Sequence, residues 1–132
     1  MNIIVIAGAP GTGKTTFSRK LEGSMRVIYT DDLKDIPWES QSGILATAIV
    51  HKPLEKVVAI EGLCALRGVR KAVEYGWIDT DDSVTVFMFT EPYDLGRYSE
   101  SLAKAQLTIL ADLIKKFPNT TVYYVKKDNN NG

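Results

Sequence analysis

The sequence predicts an α/β domain in which helices cover both faces of a parallel sheet. Three observations carry this. Strand-like and helix-like segments alternate along the chain, the order that right-handed β–α–β crossovers produce. Two segments, Asn2–Ala7 and Lys56–Ile60, are near-continuous runs of Ile, Val and Ala, as suits central strands covered on both sides. The length, 132 residues, fits one domain that can bury a core without staples.

Each element follows from its local pattern. Asn2–Ala7, the first strand, leads into Gly8-Ala9-Pro10-Gly11-Thr12-Gly13-Lys14-Thr15. A helix over Gly13–Leu21 places Phe17 and Leu21 on one face, and Arg26–Thr30 reads as the second strand. Asp31–Gln41 has poor periodicity, contains Pro37 and an isolated Trp38, and is expected to be a substrate-facing connection. Gly43–Val50 groups Ile44, Leu45, Ala48 and Ile49 on a helical face, and Lys56–Ile60 follows as the third strand. Leu66–Tyr75 carries Leu66, Val69 and Val73 at helical spacing before the fourth strand, Ser83–Phe89. In Ser101–Phe117 an apolar stripe of Leu102, Ile109, Leu110, Leu113, Ile114 and Phe117 leaves Lys115 and Lys116 outside, and Pro118 and Asn119 end the helix. Thr121–Val125 is the last strand, with Tyr123 and Tyr124 expected on opposite faces, one in and one out. Residues 1–126 are expected to form one domain and the polar tail 127–132 to fray.

Composition narrows the function classes. Sixteen basic and sixteen acidic residues cancel, so no bulk positive field favours nucleic acid. A local basic patch remains compatible with that balance. The single Cys64 rules out an internal disulfide and suits a reducing cytoplasm. No apolar run approaches the ~20 residues of a membrane span. The N-terminus lacks the basic and small-residue flanks of a signal peptide, and is expected to be a structural start.

The stretch Gly8–Thr15 fits G-x-x-x-x-G-K-[ST] at every fixed position. Successive main-chain N–H groups must converge on phosphate oxygens there, and side chains at Gly11 and Gly13 would block them. The following helix adds its positive dipole end. The loop thus offers Ala9, Gly11, Thr12, Gly13, Lys14, Thr15 and Thr16 to a nucleoside triphosphate. Lys14 is placed to reach the β- and γ-phosphates, and the Thr15 hydroxyl to ligate Mg²⁺. The N-K-x-D string on which guanine recognition usually rests does not occur, which favours ATP.

Ligands of such sheets sit at the carboxyl ends of the strands. Glu61 ends the run VVAIE, where a carboxylate can orient Mg²⁺-bound water or act as a base. A turn carboxylate beside Gly62 is the plainer reading. Asp31 and Asp32 follow VIYT, and one of them is the candidate to orient an acceptor hydroxyl and take its proton. Ordinary turn or N-cap chemistry is the alternative.

With these residues in place, the chain resembles the P-loop kinases of small molecules and nucleic-acid ends. Those are the nucleoside and nucleotide kinases, the polynucleotide 5′-kinases and the zeta-toxin group. The resemblance rests on GAPGTGKTT, VIYTDD and VVAIEG, followed by an arginine. It implies a three-layer P-loop NTPase fold with strand order 2-3-1-4-5, ATP and Mg²⁺ as donor system, and an acidic residue facing the acceptor, Asp31 or Asp32. It also implies an arginine for an acceptor phosphate. Arg67 is the nearest match and Arg70 stands behind it, although the usual Gly-Phe-Pro-Arg string is absent. The family carries an arginine-bearing lid, but Thr90–Thr120 is mostly one helix, so no separate lid domain is expected. Arg97 is then the arginine left to stabilise the transferring phosphoryl group, with Lys104 a second cation. Against this stands an ordinary surface arginine at a helix start.

Other features read as structural. His51, before Pro53, suits a helix C-terminus, and Cys64 a small buried hydrophobe. Tyr75 and Trp77 suit packing at a helix end, whereas Trp38 suits either stacking on a base or sugar or anchoring a loop. The first functional expectation is a cytoplasmic ATP- and Mg²⁺-dependent phosphotransferase acting on a hydroxyl of a small molecule, nucleotide or nucleic-acid end. The rivals are an NTPase or nucleotide-dependent switch with a protein partner, and a binding module without turnover.

Overall fold

The computed structural model describes residues 1–8, 14–33, 35–50, 57–62, 64–89 and 97–125. They form β1 (Asn2–Gly8), α1 (Lys14–Leu21), β2 (Arg26–Tyr29), a short 3-10 turn (Thr30–Leu33), α2 (Trp38–Val50), β3 (Val57–Glu61), α3 (Ala65–Glu74), β4 (Ser83–Phe89), α4 (Arg97–Lys116) and β5 (Thr120–Val125). All neighbouring strands are parallel, in the order β2-β3-β1-β4-β5. The alternating helices and the strand order implied by the resemblance are both present.

Alternation along β1 sorts the core into two layers. Ile3, Val5 and Ala7 join Val58, Ile60, Val84, Val86 and Met88 under α2, α3 and α4. Ile6 joins Ala59 and Phe89 on the opposite face, where Phe17 and Leu21 of α1 close the layer. The central runs are apolar throughout because both faces are covered. The helices α2 and α3 pack closely at Gly68, where an added Cβ would lie 2.7 Å from Leu45 Cβ.

Three local expectations are corrected. The helix α2 begins at Trp38 rather than Gly43, so the end of the expected Asp31–Gln41 connection is helical. The Ser40 N–H donates to the Pro37 carbonyl at 2.9 Å, and Glu39 lies in the first turn, where its charge suits the dipole. Ile44 and Ile114 lie outside their apolar stripes, 40% and 38% exposed. As expected, Tyr75 and Trp77 pack on each other at the end of α3, with centroids 4.7 Å apart, although both are exposed. Tyr123 and Tyr124 are both exposed because β5 is an edge strand, although Tyr123 stacks on Phe87. His51 and Pro53 lie outside the described residues, as does the tail 126–132. Among the described residues, no helix is long and apolar enough to cross a membrane.

Candidate active site

The site forms where β1, β2 and β3 end side by side. Glu61, the last residue of β3, is in register with Ile6 of β1 and Tyr29 of β2. The chain leaves the sheet at two glycines. Gly8 has φ 140°, and a Cβ there would run into the Phe89 carbonyl. Gly62 has φ 134°, and a Cβ there would overlap the Thr30 side chain. The Gly62 N–H donates to the Ile6 carbonyl at 3.1 Å, tying the end of β3 to β1.

Lys14 opens α1 and is buried, with Nζ donating to the Gly8 carbonyl at 2.6 Å. Burial pushes its ammonium below the ordinary lysine range, while the charges of Glu61 and Asp31 oppose that shift. Glu61 is also buried. Burial raises its carboxyl, Lys14 lowers it, and Asp31 raises it further. Lys14, Glu61 and Asp31 therefore act on one another as a single electrostatic group. Asp31 sits exposed in the turn Thr30–Leu33, and it is the member of the pair with Asp32 whose charge reaches Lys14, Glu61 and Cys64.

Arg67, in the first turn of α3, and Asp31 both act on Cys64, Arg67 lowering its thiol and Asp31 raising it, after burial, which raises it most. Arg70 is not brought there. Its guanidinium approaches Asp112 of α4 at 3.5 Å and Glu74 at 3.7 Å, within a network that Lys116 completes. Thr15 and Thr16 are exposed in the first turn of α1. Ala9, Gly11, Thr12 and Gly13 lie outside the described residues, as does the Arg97 side chain, although Arg97 itself opens α4. Lys104 is exposed on α4.

Cys64 is buried, as expected for a small hydrophobe, but it is also hydrogen-bonded. Its Sγ donates to Gln41 Oε1 at 3.1 Å, and Gln41 Nε2 donates to the Ile36 carbonyl at 2.9 Å. Gln41 carried no signal in the sequence beyond its place at the end of the substrate-facing stretch. Its burial follows from the early start of α2.

Among the described residues, no group of three or more His, Cys, Asp and Glu side chains is arranged to hold a metal alone. The oxygen donors present, Glu61 and the Thr15 hydroxyl, still fit Mg²⁺, which keeps several waters and uses few protein ligands beside substrate phosphates.

Neither a protein-family model nor a curated protein matches the chain. Solved structures do. A shikimate kinase from Acinetobacter baumannii, in complex with shikimate, is 16% identical with a TM-score of 0.51, covering 98% of this chain and 84% of its own. A sugar kinase from Janibacter sp. HTCC2649, unliganded, is 13% identical with a TM-score of 0.52, covering 96% and 85%. With the strand order β2-β3-β1-β4-β5 and the phosphate-loop string at the end of β1, the chain has the fold of the P-loop kinases.

Proposed function

We propose that the protein is an ATP-dependent phosphotransferase that moves the γ-phosphoryl group to a hydroxyl of a small molecule, nucleotide or nucleic-acid end. One observation carries the reading: Lys14, Glu61 and Asp31 come from three different strand ends and act on one another. A kinase needs this combination of a cation for phosphate, a carboxylate for the metal and a carboxylate for the acceptor. The shared fold with two small-molecule kinases supports it.

The roles follow from the chemistry. The loop residues Ala9, Gly11, Thr12 and Gly13, with the amides of Lys14, Thr15 and Thr16, cradle the phosphates. Lys14 exchanges the Gly8 carbonyl for phosphate oxygen. Thr15 and Glu61 would hold Mg²⁺. The metal ion, when bound, supplies positive charge to the phosphate oxygens. Asp31, or Asp32 if the turn rearranges, accepts the proton of the acceptor hydroxyl. That oxygen bonds to the γ-phosphorus as the bond to the bridging oxygen breaks and ADP leaves. Arg67 binds an anionic group of the acceptor and Arg97 the transferring phosphoryl group. Arg70 contributes to the acceptor side only if it leaves its partners on α3 and α4.

The test is γ-labelled ATP with Mg²⁺ and a panel of acceptors: shikimate, hexoses, nucleosides, nucleoside monophosphates and a 5′-hydroxyl oligonucleotide. Label should reach one acceptor with the wild type and not with Lys14→Ala. Release of phosphate alone would favour a hydrolase. Absence of ATP binding by calorimetry would overturn the reading.

A further inference from the structure

The Asp31-bearing turn and the Arg67-bearing helix belong to different segments, yet an acceptor that uses both needs their separation held constant. A continuous hydrogen-bond path joins them. The Ile36 N–H donates to the Leu33 carbonyl at 2.9 Å, which ties it to the end of the turn Thr30–Leu33. The Ile36 carbonyl accepts from Gln41 Nε2, and Gln41 Oε1 accepts from Cys64 Sγ. Cys64 caps α3, and its carbonyl accepts from the Gly68 N–H at 3.0 Å. Arg67 lies within that first turn.

We propose that Gln41 is a positioning residue, whose buried amide clamps the Asp31 turn to the start of α3 and so sets the spacing between Asp31 and Arg67. This rests on the phosphotransferase reading for its purpose, but not for its geometry. Both ends of the amide are occupied, and at 8% exposure Gln41 is shielded from solvent that could replace either bond. The packing runs the same way: Gly68 of α3 lies against Leu45, one turn beyond Gln41 in α2. A thiol is a weak donor, but its hydrogen bond here is buried, where losing it leaves the Gln41 oxygen unsatisfied. The path also explains why a cysteine stands at the α3 cap without capping it through its side chain.

The test compares wild type with Gln41→Leu, Cys64→Ala and Cys64→Ser, using two readouts. Amide hydrogen exchange on the free protein should rise about tenfold in Gln41→Leu, in the Thr30–Leu33 turn and in the first turn of α3 together. Cys64→Ala should reproduce the rise at α3, while Cys64→Ser, which keeps a donor, stays near wild type. With the acceptor found above, KM for the acceptor should rise about tenfold in Gln41→Leu while KM for ATP stays constant. Faster exchange confined to α2, or KM values for acceptor and ATP rising together, would overturn the proposal. If no acceptor is phosphorylated by wild type, the phosphotransferase reading fails, and the exchange arm alone decides whether the clamp exists.

Discussion

The buried Nζ of Lys14 donates to the carbonyl of Gly8, six residues back along the chain and at the far side of the phosphate loop. The ammonium is thus held at the end of β1 against the cost of burial. Removing it has two consequences. Lys14→Met should weaken ATP binding about 100-fold, the scale of a charge-assisted hydrogen bond, by calorimetry. It should also change stability in a pH-dependent way. Burial already raises the Glu61 carboxyl, and losing Lys14 raises it further. A carboxyl raised in the folded state stabilises fully below its unfolded pKa, and that contribution disappears as pH rises through the folded pKa. The variant should therefore lose more melting temperature against wild type at pH 8 than at pH 5. An equal loss at both pH values would show that Glu61 does not feel Lys14.

Gly62 and Thr30 set the second prediction. A Cβ at Gly62 would overlap the Thr30 side chain, with Thr30 Cβ 2.9 Å away, and φ 134° is strained for any L side chain. Gly62→Ala should cost about 2–4 kcal/mol by denaturant unfolding. Adding Thr30→Ala, which removes Oγ1 and Cγ2 but keeps Cβ, should restore most of the steric part and leave the backbone part. Complete restoration would show that the backbone there relaxes freely.

The strict phosphate-loop string singles out Lys14, and the end of a buried Ile/Val strand singles out Glu61; the structure buries both and sets their charges against each other. Which of Asp31 and Asp32 bears on Lys14 and Glu61 was not readable. That choice depends on how the 3-10 turn rotates two adjacent carboxylates, and no spacing rule encodes it. The start of α2 was hidden for a different reason. Glu39-Ser40-Gln41-Ser42 has no apolar stripe, and among its residues the buried one is a glutamine that satisfies itself on Ile36 and Cys64. Pro37 followed by Glu39 was the available signal for a helix start. Arg70 matched a residue type, but its ion pair with Asp112 depends on α4 arriving from 42 residues away, whereas Glu74 is its i,i+4 neighbour on α3.

Asp31 gives a prediction that separates it from its neighbour. Asp31→Asn should lower kcat about 100-fold or more, as loss of a general base does, and Asp32→Asn should not. A second readout needs no substrate. Asp31 is one of the charges raising Glu61, after burial, so Asp31→Asn should lower the Glu61 pKa in a carboxyl-labelled NMR titration. If Asp32→Asn moved Glu61 and Asp31→Asn did not, the assignment would reverse.

At the opposite, amino-terminal ends of the strands, the Met1 amino group donates to Asp82 Oδ1 at 2.8 Å, and the Asp79 N–H donates to Oδ2 at 3.0 Å. Burial alone would raise the Asp82 carboxyl, but the hydrogen bonds from Met1 and Asp79, with the charge of the amino group, hold it below the usual carboxylate range. The sign is opposite to that at Glu61. A carboxyl lowered in the folded state contributes stability above its unfolded pKa, near 4, and loses it as pH falls through the folded value. Wild type should therefore lose melting temperature on acidification below about pH 4 more steeply than Asp82→Asn, and the two should converge at the acid end. Because β1 is the central strand and Ser83 N–H bonds the Met1 carbonyl at 3.0 Å, weakening this pair also loosens the first rung between β1 and β4. Hydrogen exchange should then show the Ser83 amide accelerating in Asp82→Asn at neutral pH, ahead of amides at the ligand edge. Uniform acceleration along β4 would instead mean that the pair stabilises the whole sheet rather than its end.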